Sequence, residues 1–314
     1  MHFSKDRILQ YILIVLKHRH KAALPLYFFT TMARADISFL RESLYMPVAA
    51  VINVIAALAF SYAVFSIIAL PEGEKRAGIA LASFGNSGYI PVSLLEILPV
   101  TMPLFSGIHG GDKAVVLIGI YLFVYSPVLW SLGNYYISRQ RSALSVRKLL
   151  TPPLYGILIG LLVPVFRLGP IIFNQELPFF YVFKALEKIG TVVAPLILVT
   201  LGAMIAGIKL HSSVKKQMNM VLFGTVLVRY LLLPLFFFSA YFLFLGPTGV
   251  DRVLLFVLFL EFHIPPANNF STMALDSGVN EDVTAYVLLV TYAAYVVLLP
   301  VYLFIFSKAS GFAM

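Results

Sequence analysis

Cysteine is absent from the 314 residues of this chain. Disulfide bridges, thiolate metal sites and cysteine nucleophiles are therefore excluded. The motifs HExxH, GxxxxGK[ST] and GxSxG are missing too, so we expect no hydrolase chemistry, no ATP-driven transport by this chain and no enzyme. Charged residues make up only 12% of the chain, whereas a soluble globular protein carries about 25%.

Apolar residues, by contrast, make up 60% of the chain, and its mean hydropathy is +0.92. About 20 apolar residues cross a bilayer, and the alternating pattern of barrel strands does not occur. We therefore predict an all-α polytopic protein of the plasma or inner membrane. Nine spans are expected, at about 22–36, 45–70, 77–99, 114–137, 151–168, 191–210, 220–246, 252–276 and 282–307. The shorter apolar segment 8–16 predicts an interfacial helix.

The distribution of basic residues indicates an orientation. The loop 138–148 contains four basic residues and no acidic one, which is typical of a cytoplasmic loop. Alternation from this loop places 14 Lys and Arg residues inside and eight outside, and it puts the C-terminus outside. Basic residues scattered in short loops suit an anionic lipid surface better than nucleic acid.

The two halves of the sequence resemble each other. The segment 23–40 matches 193–210 at an offset of 170, and each half then carries a broken span and a last span with a proline. We predict a first repeat over 1–137, a linker over 138–150 and a second repeat over 151–314. The second half has five predicted spans and the first has four, so we expect that a first helix is absent from this chain. The alternative is a protein that has nine spans and lacks no helix.

Helix-breaking residues interrupt one span in each half. They are FGNSGYIPVSL at 84–94 and EFHIPPANNFSTMA at 261–274. Non-helical backbone at membrane depth is tolerated where it lines a cavity or is buried in protein, and paired breaks indicate a transporter site at the midplane. The predicted substrate-binding and crossover residues are Asn86, Ser87, Gly88, Pro91, Pro265, Pro266, Asn268 and Asn269.

Two ionic residues lie well inside predicted spans. Arg229 and Glu261, like Asn86, fall roughly 13–14 Å from a span end at the helical rise, close to the bilayer centre. They form either a structural ion pair or a functional site, in which Arg229 is an anion anchor or Glu261 with His263 is a protonation site. His263 alone is more typical of a hydrogen-bonded helix residue. We expect the Phe and Tyr residues to face mostly lipid and the interface, and we predict no metal and no cofactor.

These segments resemble the auxin efflux carrier family, which includes the plant PIN and PIN-like carriers and bacterial malate and malonate permease homologues. The resemblance rests on 23–40, 84–94, 150–162, 194–207 and 264–283. It implies two inverted five-helix repeats, two broken helices that cross at Pro91 and Pro265–Pro266, and export of an organic anion by an elevator-type movement. The spacing N-S-G-Y-I-P is two residues shorter than in many bacterial members and closer to the PIN-like form, which leaves the substrate open.

We therefore expect a secondary transporter that exports a small organic anion, auxin-like or malate/malonate-like, by alternating access. Coupling to protons and transport driven by the membrane potential alone both stay open. The alternatives are a sodium-coupled organic-anion symporter of the bile-acid type and a non-transporting membrane receptor or scaffold. The oligomeric state is open, with a homodimer as one option.

Overall fold

A computed structural model describes residues 23–101, 110–138, 150–193, 195–196, 199, 202 and 216–311. The predicted interfacial helix 8–16, nearly all of the loop 138–148 and most of the predicted span 191–210 lie outside these residues. In the described part the chain is helical, and the only β pairing is one isolated antiparallel bridge between Gly85 and Pro266.

The described residues form thirteen helices, and each half of the chain contains one pair of half-helices. They are α1 (Ala23–Ala33), α2 (Ile37–Glu42), α3 (Tyr45–Ile67), α4 (Glu72–Ser83), α5 (Tyr89–Thr101), α6 (Lys113–Ser138), α7 (Pro152–Val165), α8 (Gly169–Ile172), α9 (Pro178–Gly190), α10 (Lys216–Leu245), α11 (Arg252–His263), α12 (Asn269–Ser277) and α13 (Glu281–Ser310).

Within the residues that the structure describes, four helical stretches are long and apolar enough to cross a membrane: 37–67, α6, α10 and α13. They confirm an integral membrane protein built from helices. α1 and α7 are apolar but shorter. The predicted spans 77–99 and 252–276 each consist of two half-helices, α4 with α5 and α11 with α12. The count of nine spans and the inverted repeat stay predictions.

Prolines shape the long helices, and α10 shows how. Pro234 has no N–H, so the carbonyl oxygen of Tyr230 lacks its usual donor four residues later. The backbone widens into a π-helical turn over Val228–Leu232, and the Tyr302 hydroxyl donates to the Tyr230 oxygen at 2.6 Å. Arg229 lies in this turn. Such turns are frequent at functional sites.

Close packing around Phe65 holds α3, α4 and α10 together. The Phe65 ring is fully buried and lies against Gly78 of α4 and Gly224 of α10. A Cβ atom added at these glycines would lie 2.4 Å and 2.6 Å from the ring, closer than carbon atoms approach in proteins. Small residues of this kind let membrane helices approach each other. The main core forms around this contact and the broken helices.

A second, smaller cluster joins α1, α7 and α9 through Ala33, Val163 and Phe183. Gly160 permits the contact between α7 and α1, because an added Cβ would lie 2.6 Å from the Phe29 carbonyl oxygen. At the end of this cluster, Arg34 forms an ion pair with Glu187 at 2.8 Å.

Candidate functional site

The two breaks meet and pair through their backbones. The Asn86 N–H donates to the Pro265 oxygen, and the Ala267 N–H donates to the Phe84 oxygen, both at 2.9 Å. These reciprocal hydrogen bonds flank the bridge between Gly85 and Pro266. The backbone groups left without helical partners at each break are thus partly satisfied by the other break, which explains how non-helical chain is tolerated in the buried interior.

Local sequence explains where each half-helix ends. Pro265 and Pro266 cannot donate backbone hydrogen bonds, and a residue before proline is driven into the extended region. Ile264 has φ −77° and ψ 150°, so α11 ends at His263. Pro91 is instead the third residue of α5, where a backbone N–H has no intrahelical partner and proline is tolerated.

Two tyrosines from neighbouring helices bond to the place where the two breaks pair, which is called the crossing below. The Tyr125 hydroxyl of α6 accepts from the Gly85 N–H at 2.6 Å and donates to the Gly85 oxygen at 3.1 Å. The Tyr292 hydroxyl of α13 accepts from Asn86 Nδ2 at 2.7 Å and donates to the Pro266 oxygen at 3.0 Å. Tyr292 therefore ties the first break to the second through side chain and backbone.

In both breaks, the predicted site residues pass from buried to partly exposed along the chain. Buried residues are Asn86, Ser87, Pro91, Pro265 and Pro266, whereas Gly88, Asn268 and Asn269 are partly exposed. The partly exposed residues lie at or just before the N-termini of α5 and α12. Free N–H groups and the positive end of the helix dipole occur at such positions, and they attract anions.

Arg229 and Glu261 are both brought into the interior of this region. Their side chains are 1% and 0% exposed, and a Cβ added at Gly85 would lie 2.8 Å from Arg229 Nη1. Both residues are among those that the structure describes, and no ion pair within 4.0 Å joins them. The structural ion pair that the sequence suggested is therefore not present in this conformation.

Hydrogen-bonding capacity is left over on both ionic residues. Nε and Nη2 of Arg229 and both carboxylate oxygens of Glu261 are buried without a hydrogen-bond partner. The Ser87 hydroxyl lies beside the Glu261 carboxylate and the Tyr125 phenol, but without an aligned hydrogen bond. Buried polar groups are normally paired, so these atoms are candidates for contact with a ligand.

The expectation that tyrosines face lipid or the interface is wrong for Tyr121, Tyr125, Tyr292 and Tyr295, which are at most 6% exposed.

Asn53 of α3 is a further residue of this region that the sequence analysis did not identify. Its Nδ2 donates to the Tyr121 hydroxyl at 2.9 Å and to the Glu261 backbone oxygen at 3.1 Å. The four-residue spacing from Tyr121 to Tyr125 places both on one helix face, which is the pattern that could have revealed them.

His263 lies in a different environment from Glu261, although it is only two residues away. Its ring is fully buried against Phe237, Phe259 and Tyr302. Nδ1 lies 2.6 Å from the Phe259 oxygen, so Nδ1 carries the proton and donates, while Nε2 has no partner. A second proton, on Nε2, would have no acceptor in these surroundings.

A metal ion has no evident ligands in the part of the chain that the structure describes, because no group of three or more His, Cys, Asp and Glu side chains lies together there. Arg229 and the helix N-termini instead offer positive charge and N–H donors. The arrangement suits a small anion better than a cation.

Comparison with known proteins identifies the family. The sequence profile of the family described as membrane transport protein matches residues 20–145 and 137–303. The chain is 32% identical over 151 residues to Protein PIN-LIKES 7 of Arabidopsis thaliana. This alignment covers 47% of this chain and 37% of that protein. It is 31% identical over 165 residues to Protein PIN-LIKES 5 of the same plant, covering 51% of this chain and 41% of that protein.

These alignments span well under half the length of either relative. No solved structure gives a significant match to the chain. The profile match nevertheless extends over most of the sequence, and it agrees with the apolar helices and with the motifs around the two breaks. The chain belongs to the membrane transport protein family of auxin efflux carriers and PIN-like proteins.

Proposed function

We propose that this protein is a secondary transporter that exports a small organic anion by alternating access. Membership of a transport family supports a membrane transporter as such. The observation that carries the choice of an anion is Arg229, a permanent positive charge that is 1% exposed, beside the crossing, with two donors unused. Charged residues at this depth are rare and functional or paired, and the structure gives Arg229 no ion-pair partner within 4.0 Å among the described residues.

The anion binds where the half-helices begin. The N-termini of α5 and α12 supply N–H groups and positive dipole ends, and the partly exposed Gly88, Asn268 and Asn269 flank them. The side-chain amide of Asn86 is held by Tyr292 and is within the same crossing. A carboxylate is the simplest anion that such donors recognise, in keeping with auxin-like and malate/malonate-like candidates.

Uptake and release of labelled malate, malonate and indole-3-acetate by proteoliposomes test the proposal. We expect saturable flux of at least one of these carboxylates and no flux in protein-free vesicles. If none of the three moves faster than through protein-free vesicles, transport of this anion class is refuted, and the non-transporting receptor or scaffold becomes the better interpretation.

The sodium-coupled alternative is tested in the same vesicles. A symporter of the bile-acid type requires a sodium gradient, so replacement of sodium by choline would abolish its flux. We expect the flux of this protein to be equal in both salts, since the described residues include no acidic cluster suited to a cation. A flux that depends on sodium would favour the alternative.

Two substitutions separate a binding role of Asn86 from its structural role. Asn86→Ala removes the amide, whereas Tyr292→Phe removes only the hydroxyl that holds it. If the amide binds the anion, Asn86→Ala raises KM by about tenfold or more, as for the loss of a hydrogen bond to a charged group, and Tyr292→Phe raises it less. Equal effects of the two variants would assign Asn86 to the architecture of the crossing. Unchanged flux in both Asn86→Ala and Pro266→Ala would remove the crossing as the site.

A further inference from the structure

A buried carboxyl group, that of Glu261, has nothing around it in the described part of the chain that would hold it as a charge. Its side chain is 0% exposed, and neither of its oxygens has a hydrogen-bond partner. No Lys, Arg or His nitrogen of the described residues lies within 4.0 Å of it. An ionised carboxylate has no donor of its own, so when it is buried it needs hydrogen bonds or a counter-charge. Glu261 has neither.

Protonation removes this cost for Glu261, because a carboxylic acid is neutral and its O–H becomes a hydrogen-bond donor. Attraction from a cation that forms no ion pair with it does not replace the lost hydration. Arg229 cannot respond in the same way, since a guanidinium keeps its charge in proteins. The two buried residues therefore differ in state: Arg229 is a cation, and Glu261 is a neutral acid with one unused O–H.

Both residues approach the same short segment of the first break. A Cβ atom added at Gly85 would lie 2.8 Å from Arg229 Nη1, and the Glu261 carboxyl group lies beside the Ser87 hydroxyl. Gly85 and Ser87 flank Asn86, so the cation and the carboxyl group reach one turn of the crossing from different helices. An anion bound at this turn is within reach of both.

The backbone of Glu261 is fixed by a residue of another helix. In an uninterrupted helix its carbonyl oxygen would accept from the N–H of residue 265, but Pro265 has no N–H. Asn53 Nδ2 of α3 donates to this oxygen at 3.1 Å and to the Tyr121 hydroxyl at 2.9 Å. Asn53 thus replaces the donor that the proline removes, and it holds Glu261 in place at the end of α11.

The other ionisable groups near Glu261 supply no positive charge. Tyr121 is joined to it through the asparagine amide, and Tyr125 stacks on Tyr121 with ring centroids 5.2 Å apart. Tyr295 faces it from α13. A phenol ordinarily ionises near pH 10, so these tyrosines are neutral at physiological pH. His263 lies among aromatic rings and has no acceptor for a second proton.

We propose that Glu261 is a neutral carboxylic acid in the anion-free protein, and that its O–H donates a hydrogen bond to the carboxylate of the anion held by Arg229. This inference rests on the proposed function and adds a binding residue to its site. The proton stays on Glu261 when the anion binds and when it leaves, so Glu261 carries no proton across the membrane. An ionised Glu261 would instead repel the anion.

Infrared spectroscopy detects the neutral acid directly. A protonated carboxyl group has a C=O stretching band that carboxylates and amides lack, and a detergent without ester groups leaves this region of the spectrum clear. At about pH 7, exposed Asp and Glu side chains are ionised. We expect the band in the anion-free wild type and in the control Glu176→Gln, which alters an exposed carboxylate before α9. The band should be lost in Glu261→Gln. Addition of the anion to the wild type should shift it to lower frequency.

Binding of the anion tests the donor. The probe is whichever of malate, malonate and indole-3-acetate shows saturable flux. Glutamine keeps a donor at this position and leucine has none. We therefore expect Glu261→Gln to bind the probe about as tightly as the wild type, and Glu261→Leu to raise the Kd by about tenfold or more, as for the loss of a hydrogen bond to a charged group. Neither variant introduces an unpaired charge, so both should keep the melting temperature of the wild type.

Proton counting provides a third readout. Calorimetric titration in two buffers with different ionisation enthalpies gives the number of protons taken up per anion bound. At about pH 7–8, where carboxylic acids in water are ionised, we expect no proton uptake by the wild type. Uptake of one proton by the wild type and none by Glu261→Gln would overturn the inference, because Glu261 would then be ionised before the anion binds.

The outcomes separate this inference from the proposed function. Absence of the infrared band from the anion-free wild type, or its persistence in Glu261→Gln, would overturn the inference and leave anion transport in place. Equal affinities of Glu261→Leu and the wild type would do the same, because the O–H would then make no contact with the anion. If no carboxylate in the panel binds or moves, the proposed function fails and the donor role of Glu261 fails with it.

Discussion

Replacement of Gly85 by alanine tests the geometry of the crossing most directly. A Cβ atom at this position would lie 2.7 Å from Ile264 Cγ1 and 2.8 Å from Arg229 Nη1. Both neighbours are buried, and the Gly85 backbone is held on both sides by Tyr125. The added methyl group therefore has to displace the second break or the arginine.

The expected loss of stability follows from the close contact. Overpacking a dense interior destabilises a protein by about 1–3 kcal/mol. At an unfolding entropy of about 2.1 cal/mol/K per residue, this lowers the melting temperature of a chain of 314 residues by about 2–5 °C. Because the displaced groups belong to the crossing and to Arg229, we also expect a weaker anion flux.

Thermal unfolding followed by the fluorescence of Trp130, the chain's single tryptophan, measures this loss. Gly88→Ala is the matched control for stability, since its Cβ would be 3.8 Å from the nearest atom of Leu122, an ordinary contact. A melting temperature of Gly85→Ala that equals that of the wild type, or exceeds that of Gly88→Ala, would refute the close approach of the two breaks.

Three further substitutions probe other contacts. Tyr302→Phe leaves the Tyr230 oxygen without a donor and should reduce the unfolding free energy by about 1–3 kcal/mol; no change would show that the π-helical turn satisfies itself. Gly160→Leu should separate α7 from α1 and lower the melting temperature; unchanged stability would contradict that packing. Burial opposes ionisation of Asp251, but hydrogen bonds from Lys113 and from the N-terminus of α11 outweigh it and lower its pKa. Its stabilising effect is therefore lost as the pH falls below about 4, and Asp251→Asn should show a smaller fall in acid; equal falls would count against this ion pair.

The membrane class and the family could be predicted because they depend on composition and on local motifs. The proline and asparagine clusters also indicated where helices break, and α4 and α11 do end beside them, at Ser83 and His263. Proline acts on its own neighbours in the chain, so such a prediction needs no knowledge of the tertiary fold. Hydropathy alone would read each of these stretches as one span, and the helix-breaking residues are what divide it into two half-helices.

The partners at the crossing could not be predicted in the same way. Asn86 pairs with Tyr292, which is 206 positions away, and Asn53 bonds to the Glu261 backbone across 208 positions. In a membrane protein the apolar residues cover both the lipid face and the interior, so the hydrophobic pattern does not show which side of a helix is buried. The pattern therefore does not distinguish lipid-facing tyrosines from Tyr125 and Tyr292, whose hydroxyl groups bond to the two breaks.

Asn86 and Arg229 differ in how many of their hydrogen-bond donors are already occupied. The amide of Asn86 donates through Nδ2 to the Tyr292 hydroxyl and accepts from the Tyr89 N–H through its oxygen, so one of its two N–H groups is already engaged. Arg229 has two donors that no described residue occupies, so an anion gains their hydrogen bonds without breaking others. Arg229 therefore has more unused donors than the Asn86 amide. It follows that the paired breaks supply the framework, while Arg229 supplies the free donors that the proposed anion site requires.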